Sequence, residues 1–358
     1  MADIQSRKAD HIAIAASGAA NHHQTTLLED VRLEHRSLPE CDFSDIDIST
    51  KLHGFKLSAP LMISGMTGGT DEAEEINVAL AKAAEANGLA MGLGSQRAMV
   101  EDGALQSTFD IKKHIPNFPL FGNLGVVQAK SYGIEKIENL IKATSLDGLC
   151  IHLNPAQEMV QIYGDREFKG CLNFIKTISN SLSRPIIIKE TGAGMDIGTL
   201  KQLKSANIST VDISGTGGTS WTAVESFRHK NKDDYDDLGR EYWNWGCPTA
   251  VSIVAAAKQG FDVIASGGIR SGLDIAKSVS LGAHVAAMAQ PLLKAFKTGG
   301  EQELDNKIRA LLRSLQTALL LTGSKDLETL RQSSPYLGPS LTHELKQRGL
   351  SFPQKSES

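Results

Sequence analysis

The stretch 151–158, I-H-L-N-P-A-Q-E, brings His152, Asn154, Gln157 and Glu158 together at the end of an apolar segment. Residues 148–151 read as a short buried strand, and Pro155, which has no N–H to give a ladder, stops it. His152 and Asn154 then share one strand face, with Gln157 and Glu158 on the turn after it. Four polar groups at a strand terminus are costly to bury unless each finds a partner. A single histidine would read as a core residue, whereas the cluster reads as a place for ligand binding or proton transfer.

Other chemistry-bearing residues stand in comparable places. Lys189-Glu190 ends an apolar run, where a lysine can stabilise negative charge on a flavin or a substrate oxygen, pair with an acid, or form a Schiff base. Ser266-Gly267-Gly268-Ile269-Arg270-Ser271-Gly272 and Ala289-Gln290-Pro291 follow two later runs. Glycine amides at a strand-to-helix transition can hold a phosphate or simply turn the chain. Met66-Thr67-Gly68-Gly69 permits close approach of a planar ligand, with Thr67 offering a hydrogen bond. Arg7, Lys8 and His11 make a cationic patch on a possible helical turn, which suits a diphosphate and equally suits a solvated terminus. Neither glycine run has the setting of a dinucleotide fingerprint, and Gly215-Thr216-Gly217-Gly218 lacks the lysine of a P-loop.

The elements that must position these residues form a regular alternation. Strand-like runs fall at 61–64, 89–93, 119–123, 148–153, 185–189, 210–214, 263–266 and 285–289. Helical stretches at 72–87, 134–144, 168–180, 198–205, 247–259 and 272–281 lie between them. Eight runs over about 230 residues favour an α/β fold of the closed TIM (β/α)8 type over an open doubly wound sheet. Barrel sites gather where strands give way to the following loops, and the unusual polar residues fall there one strand after another. Residues 1–60 read as an N-terminal extension whose later part, irregular chain and a short hairpin, closes the barrel's lower end. Residues 61–345 read as the barrel, and 346–358 as a flexible tail. The connection 215–248 carries all three tryptophans, Trp221, Trp243 and Trp245, and reads as an active-site cover, or alternatively as an oligomer contact.

Composition limits the partners. The chain has 358 residues, 41% of them hydrophobic, and a formal charge of -4, so nothing calls for a nucleic-acid surface. No run approaches the roughly 18 apolar residues of a membrane span. The Ala-rich segment 12–20 only superficially imitates a signal peptide. Cys41, Cys150, Cys171 and Cys247 show no CxxC pair, which suggests reduced cysteines and a cytoplasmic protein.

Taken together, these motifs resemble the type 2 isopentenyl-diphosphate isomerase family, which is FMN-dependent. The resemblance spans about residues 5 to 345 and includes Gly94-Ser95-Gln96-Arg97 and Ser214-Gly215-Thr216-Gly217-Gly218-Thr219 besides the runs already named. It implies FMN contacts from Met66, Thr67, Gly68, Ser95, Asn123, Lys189, Ser214 and Thr219. The flavin phosphate would be held by Gly267, Gly268, Ala289 and Gln290. The substrate diphosphate would meet Arg7, Lys8, His11, Ser95, Arg97, His152 and Asn154, and Glu158 would bind Mg²⁺. Gln157 would sit near the alkene, and with His152 and Lys189 it makes the implied catalytic set. Trp221 and Glu225 match secondary pocket positions.

The implied reaction interconverts isopentenyl and dimethylallyl diphosphate with no net redox change, NADPH serving to reduce the flavin. The resemblance also implies a homotetramer or a larger homo-oligomer. Two rivals are an FMN-dependent 2-hydroxy acid oxidase or dehydrogenase, and a noncatalytic flavin sensor. The oxidase would need an arginine-histidine pair near the seventh strand, where 263–269 offers neither, although Arg270 follows.

Overall fold

The structure is a computed structural model that describes residues 2–228 and 234–352, with residues 2–9 and 234 described by their backbone alone. Eight strands close a barrel: β1 Leu61–Ile63, β2 Ala90–Gly92, β3 Leu120–Gly125, β4 Gly148–Leu153, β5 Ile186–Glu190, β6 Thr210–Asp212, β7 Asp262–Ala265 and β8 Val285–Met288. All neighbours are parallel, and β8 pairs with β1 to complete the ring. The strands read as continuous apolar runs because helices cover one face and the barrel core fills the other. Each observed strand coincides with an expected run to within one or two residues at its ends.

Met62, Ala90, Phe121, Cys150, Ile187, Ile264, Val285 and Ala287 fill the barrel interior in one buried cluster. The hairpin Thr50–Leu52 with Phe55–Leu57 joins that cluster through Leu52 and Leu57. Phe55 meets Phe121 edge-on, with ring centroids 6.4 Å apart. The hairpin packs against the lower end of the interior cluster.

Five helices position the site or brace it: α1 Ala2–Ser17, α2 Pro155–Val160, α3 Trp221–Arg228, α4 Asp234–Glu241 and α5 Gln290–Thr322. The cationic patch belongs to a helix of 16 residues rather than to a single turn. Helix α5 runs for 33 residues, and Gly299 and Gly300 interrupt its helical backbone.

The connection 215–248 departs most from expectation, since it folds into α3 and α4 instead of a loop. Ser226 Oγ donates to Asp236 Oδ1 at 2.6 Å, and Thr222 Oγ1 to the Tyr242 carbonyl at 2.9 Å, so short polar side chains lock the pair. Trp243 stacks on His23 and donates Nε1–H to the Asn21 carbonyl at 2.9 Å, tying this hairpin to the N-terminal segment. Trp245, by contrast, is 62% exposed, so aromatic burial orders only part of the connection. His229, Lys230 and Asp233, which belong to the same charged stretch, lie outside the described residues.

Candidate functional site

Strand register sets the site. Gly125 pairs with His152, His152 with Lys189, and Lys189 with Asp212, so one row of partners crosses four strand ends at the upper mouth. Pro155 then starts α2, which carries Gln157 and Glu158 back over the rim.

Two cavities adjoin there. The first, about 920 Å³ including its open mouth, is lined by Lys189, Ser214, Thr219, Gly267, Gly268 and Gln290, with Ser64, Ala289 and Arg270 among others. The second, about 910 Å³, is lined by Thr67, Ser95, Arg97, Asn123, His152, Asn154, Gln157 and Glu158. His11, Gly65, Met66, Lys189, Thr191 and Trp221 line both and form the partition between them. Gly68 lines neither; a Cβ there would stand 2.0 Å from the Phe109 ring, so its task is close packing behind the site. The side chains of Arg7 and Lys8 lie outside the described part of α1.

Glu225 organises the second cavity although it is fully buried. Its Oε1 meets His11 Nε2 at 3.0 Å and accepts from Gln157 Nε2 at 3.2 Å, while Oε2 accepts from Arg228 at 2.7 Å. Burial opposes ionisation of this carboxyl. The hydrogen bond and charge of His11, the Arg228 guanidinium and the Gln157 amide outweigh that cost and hold its pKa at about 2.

His152 has the opposite character. Burial, aided by the Lys189 ammonium, lowers its pKa to about 3, so the ring is neutral at working pH. Its Nδ1 lies 2.8 Å from Asn123 Oδ1, and Asn123 uses its own amide N–H on the Leu93 carbonyl at 3.1 Å. The Asn123 oxygen must therefore accept, which places the imidazole hydrogen on Nδ1 and leaves Nε2 as an acceptor.

Glu158 accepts from Asn154 Nδ2 at 2.9 Å and from the Asp165 amide at 2.7 Å. Burial raises its pKa against those two bonds. Each oxygen keeps a free lone pair, enough for one bond to a cation. Among the described residues no group of three or more His, Cys, Asp or Glu side chains is placed to hold a metal unaided. Arg97 bonds Glu101 at 2.8 Å and reaches Asp165 at 3.5 Å, which fixes the guanidinium beside the cavity.

The first cavity fits a flavin phosphate by its backbone. Gly267 and Gly268 have φ of 90° and 77°, and a Cβ on Gly267 would stand 2.1 Å from the Gly215 carbonyl oxygen, so only glycine places these amides here. Thr67 Oγ1, in the second cavity, is buried with no protein partner, which suits a polar edge of a planar ligand. Gln290 is already engaged: its amide donates to the Ala15 carbonyl at 2.6 Å and to Asn21 Oδ1 at 3.0 Å, latching α1 to the start of α5.

Several site residues escaped the sequence. Gln128 and Gln161 line the second cavity, Thr191 and Gly192 flank Lys189, and Asp212 stands beside Lys189 in the strand register. Asp212, the last residue of β6, could have been found by applying the strand-end rule to every polar terminus. Gln128 and Gln161 carry no such signal, because they depend on where helices land.

The FMN-dependent dehydrogenase family model matches residues 3–110 and 153–336. Curated relatives named isopentenyl-diphosphate delta-isomerase align along nearly the whole chain. That from Methanococcoides burtonii is 41% identical over 96% of this chain and 95% of its own. That from Ignicoccus hospitalis is 42% identical over 94% and 95%, and that from a Nostoc species 42% over 93% and 95%. Among solved structures, a mandelate oxidase superposes with a TM-score of 0.63 at 18% identity, covering 94% of this chain and 98% of the oxidase, which shows a common fold. The chain belongs to the isopentenyl-diphosphate delta-isomerase family, on the barrel of the FMN-dependent dehydrogenases.

Proposed function

We propose that this protein interconverts isopentenyl and dimethylallyl diphosphate, with FMN running from the first cavity across the partition into the near part of the second, and the substrate with Mg²⁺ in the remainder of the second. The observation that carries the reading is that His11 and Gln157, both fixed by the buried Glu225, line the same cavity as Lys189, within a chain of this family. Gly267, Gly268 and Ala289 would hold the flavin phosphate, Ser214 and Thr219 the sugar-like chain, and Met66, Thr67, Ser95, Asn123 and Lys189 the ring system. When bound and reduced, the flavin supplies proton exchange beside the alkene and negative charge that offsets the cationic character developing there.

The protein's own residues bind, orient and exclude water. Gln157 has no acidic proton at neutral pH, so its amide, aimed by Glu225, orients the alkene or relays a proton. Arg97 and Asn154, with Arg7, Lys8 and Ser95, would meet the diphosphate. His152 must gain a proton before Nε2 can donate to a phosphate oxygen, and a bound polyanion supplies the field that drives this. Glu158 would give Mg²⁺ one ligand, and the diphosphate and water the remainder, as small hard cations prefer. Trp221, at the partition, would shield the reacting carbons from water.

NADPH is the proposed reductant, and a homotetramer or larger homo-oligomer the proposed assembly. No helix among the described residues is long and apolar enough to cross a membrane. The four free cysteines support a reducing, cytoplasmic setting. The oxidase reading finds less support. Arg270 follows β7, but the histidine nearest β7 along the chain, His284, pairs with Asp262 at 3.4 Å at the opposite end of the strand.

The test is anaerobic incubation of the protein with FMN, NADPH, Mg²⁺ and isopentenyl diphosphate, counting dimethylallyl diphosphate formed per NADPH consumed. Many turnovers per NADPH are expected. Stoichiometric NADPH loss, or no allylic product, would overturn the reading.

A further inference from the structure

Lys189, Asp212 and Ser266 stand at the ends of the neighbouring strands β5 and β6 and just past β7, and they form one buried chain at the base of the first cavity. Lys189 and Asp212 are direct register partners, with Nζ 3.6 Å from Asp212 Oδ2. Ser266 Oγ donates to the other carboxylate oxygen, Asp212 Oδ1. Lys189 and Ser266 line the cavity, whereas Asp212 does not. Whatever Asp212 does to a ligand, it does through these neighbours.

An ammonium has three hydrogens and a flexible four-carbon stem. Here one hydrogen goes to the Glu190 carbonyl at 2.8 Å, and Asp212 faces a second. That leaves one for the cavity, so the two acceptors convert a mobile cation into an aimed donor. Asp212 is only 3% exposed, so water screens the pair poorly and the carboxylate cancels much of the ammonium's field.

The other titratable groups at this level add little charge of their own. Cys150, on β4, is a thiol pushed up to about 12 by burial and by Asp212. His152 is neutral, and the Glu190 carboxylate turns away into the amides of Thr191, Gly192 and Ala193.

We propose that Asp212, seated by Ser266, is the positioning residue that aims the Lys189 ammonium into the cavity, offsets part of its charge, and so sets the reduction potential of the flavin held there. This rests on the reading that FMN occupies the cavity. Reduction adds negative charge to the flavin, and a nearby cation favours it. Removing the carboxylate should therefore make the bound flavin easier to reduce.

The experiment compares wild type, Asp212→Asn and Ser266→Ala, each loaded with FMN and free of substrate. FMN affinity is read by fluorescence titration, and midpoint potential by reduction in equilibrium with a reference dye. Asp212→Asn is expected to favour the reduced flavin at least about tenfold, which is about 30 mV for a two-electron couple. Ser266→Ala should shift it in the same direction by less. Unchanged potentials would overturn the proposal, and so would a fall in Asp212→Asn, since that means Lys189 loses its proton along with its counter-ion. If Asp212→Asn does not fold, Ser266→Ala decides alone, and a wild-type potential in that variant overturns the proposal. Wild type that fails to bind FMN sinks the cofactor reading and this proposal together. Wild type that binds FMN, with unshifted variants, sinks this proposal alone.

Discussion

His11 and Glu225 are 214 positions apart in the chain, yet their side chains meet at 3.0 Å, and that contact closes α1 over the second cavity against α3. Two elements with no mutual sequence signal thus share one buried carboxylate, and Gln157 is held by the same oxygen. The arrangement predicts that Glu225→Gln costs more than one hydrogen bond. Losing charge-assisted bonds of about 1.5–3 kcal/mol corresponds to roughly a 10- to 100-fold loss in kcat/KM. A double-mutant cycle of His11→Ala with Glu225→Gln should show strong non-additivity, and simple additivity would mean the two act separately.

His152 predicts a definite pH dependence. Its pKa falls from 6.5 to about 3 in the folded protein, so the unfolded chain takes up a proton first as pH drops. The stability it contributes is complete above 6.5 and is lost as pH falls from there towards about 3. Melting temperature measured across this range should fall less steeply in His152→Gln than in wild type. Binding of the diphosphate should also take up a proton, giving calorimetric enthalpies that depend on the buffer's ionisation heat. Enthalpies independent of the buffer would show that His152 stays neutral in the complex.

Asn154 orients Glu158 through a 2.9 Å hydrogen bond. With Glu158 as the proposed Mg²⁺ ligand, Asn154→Ala should raise the Mg²⁺ concentration needed for half-maximal activity about 10- to 100-fold, the usual cost of removing a partner of a metal ligand. Excess Mg²⁺ should restore most of the rate. A variant equally impaired at every Mg²⁺ concentration would place Asn154 outside metal binding.

Gly268 has φ of 77°, and a Cβ there would lie 2.4 Å from the Thr26 methyl and 2.6 Å from the Gly217 carbonyl oxygen. Gly268→Ala should lower stability by at least about 1–3 kcal/mol from backbone strain. It should also release FMN during gel filtration. Retained flavin at wild-type stoichiometry would remove this loop from phosphate binding.

Leu57 is completely buried in the hairpin. Leu57→Ala is expected to cost about 2–5 kcal/mol of stability while leaving KM unchanged, because the hairpin lies at the opposite end of the barrel from the site. Denaturant titration and steady-state kinetics on the same preparation check both halves.

The barrel was legible because it repeats. Each strand carries its own apolar run and its own polar terminus, so His152, Lys189, Ser214 and Gly267 could be placed from local pattern alone. What was not legible depends on tertiary approach. The α3 and α4 helices hid within a charged, tryptophan-rich stretch, since their stability comes from mutual locks such as Ser226 with Asp236 and not from a strong apolar stripe. The family resemblance implies Gln290 as a flavin-phosphate contact, and Gln290 does line the first cavity. Its bonds to Ala15 and Asn21, which make it a latch for the N-terminal segment, are invisible in one dimension.

The hairpin carrying Leu52 and Leu57 makes the barrel a cup and not a pipe. Whatever reaches the strand ends arrives and departs over a single rim, so a tightly held cofactor and a passing substrate share one doorway. The rim is built from α1, α2 and α3, which lie far apart along the chain, and the floor from the hairpin and the interior cluster. Substrate preference can accordingly be redesigned from above without touching the foundation that keeps the vessel upright.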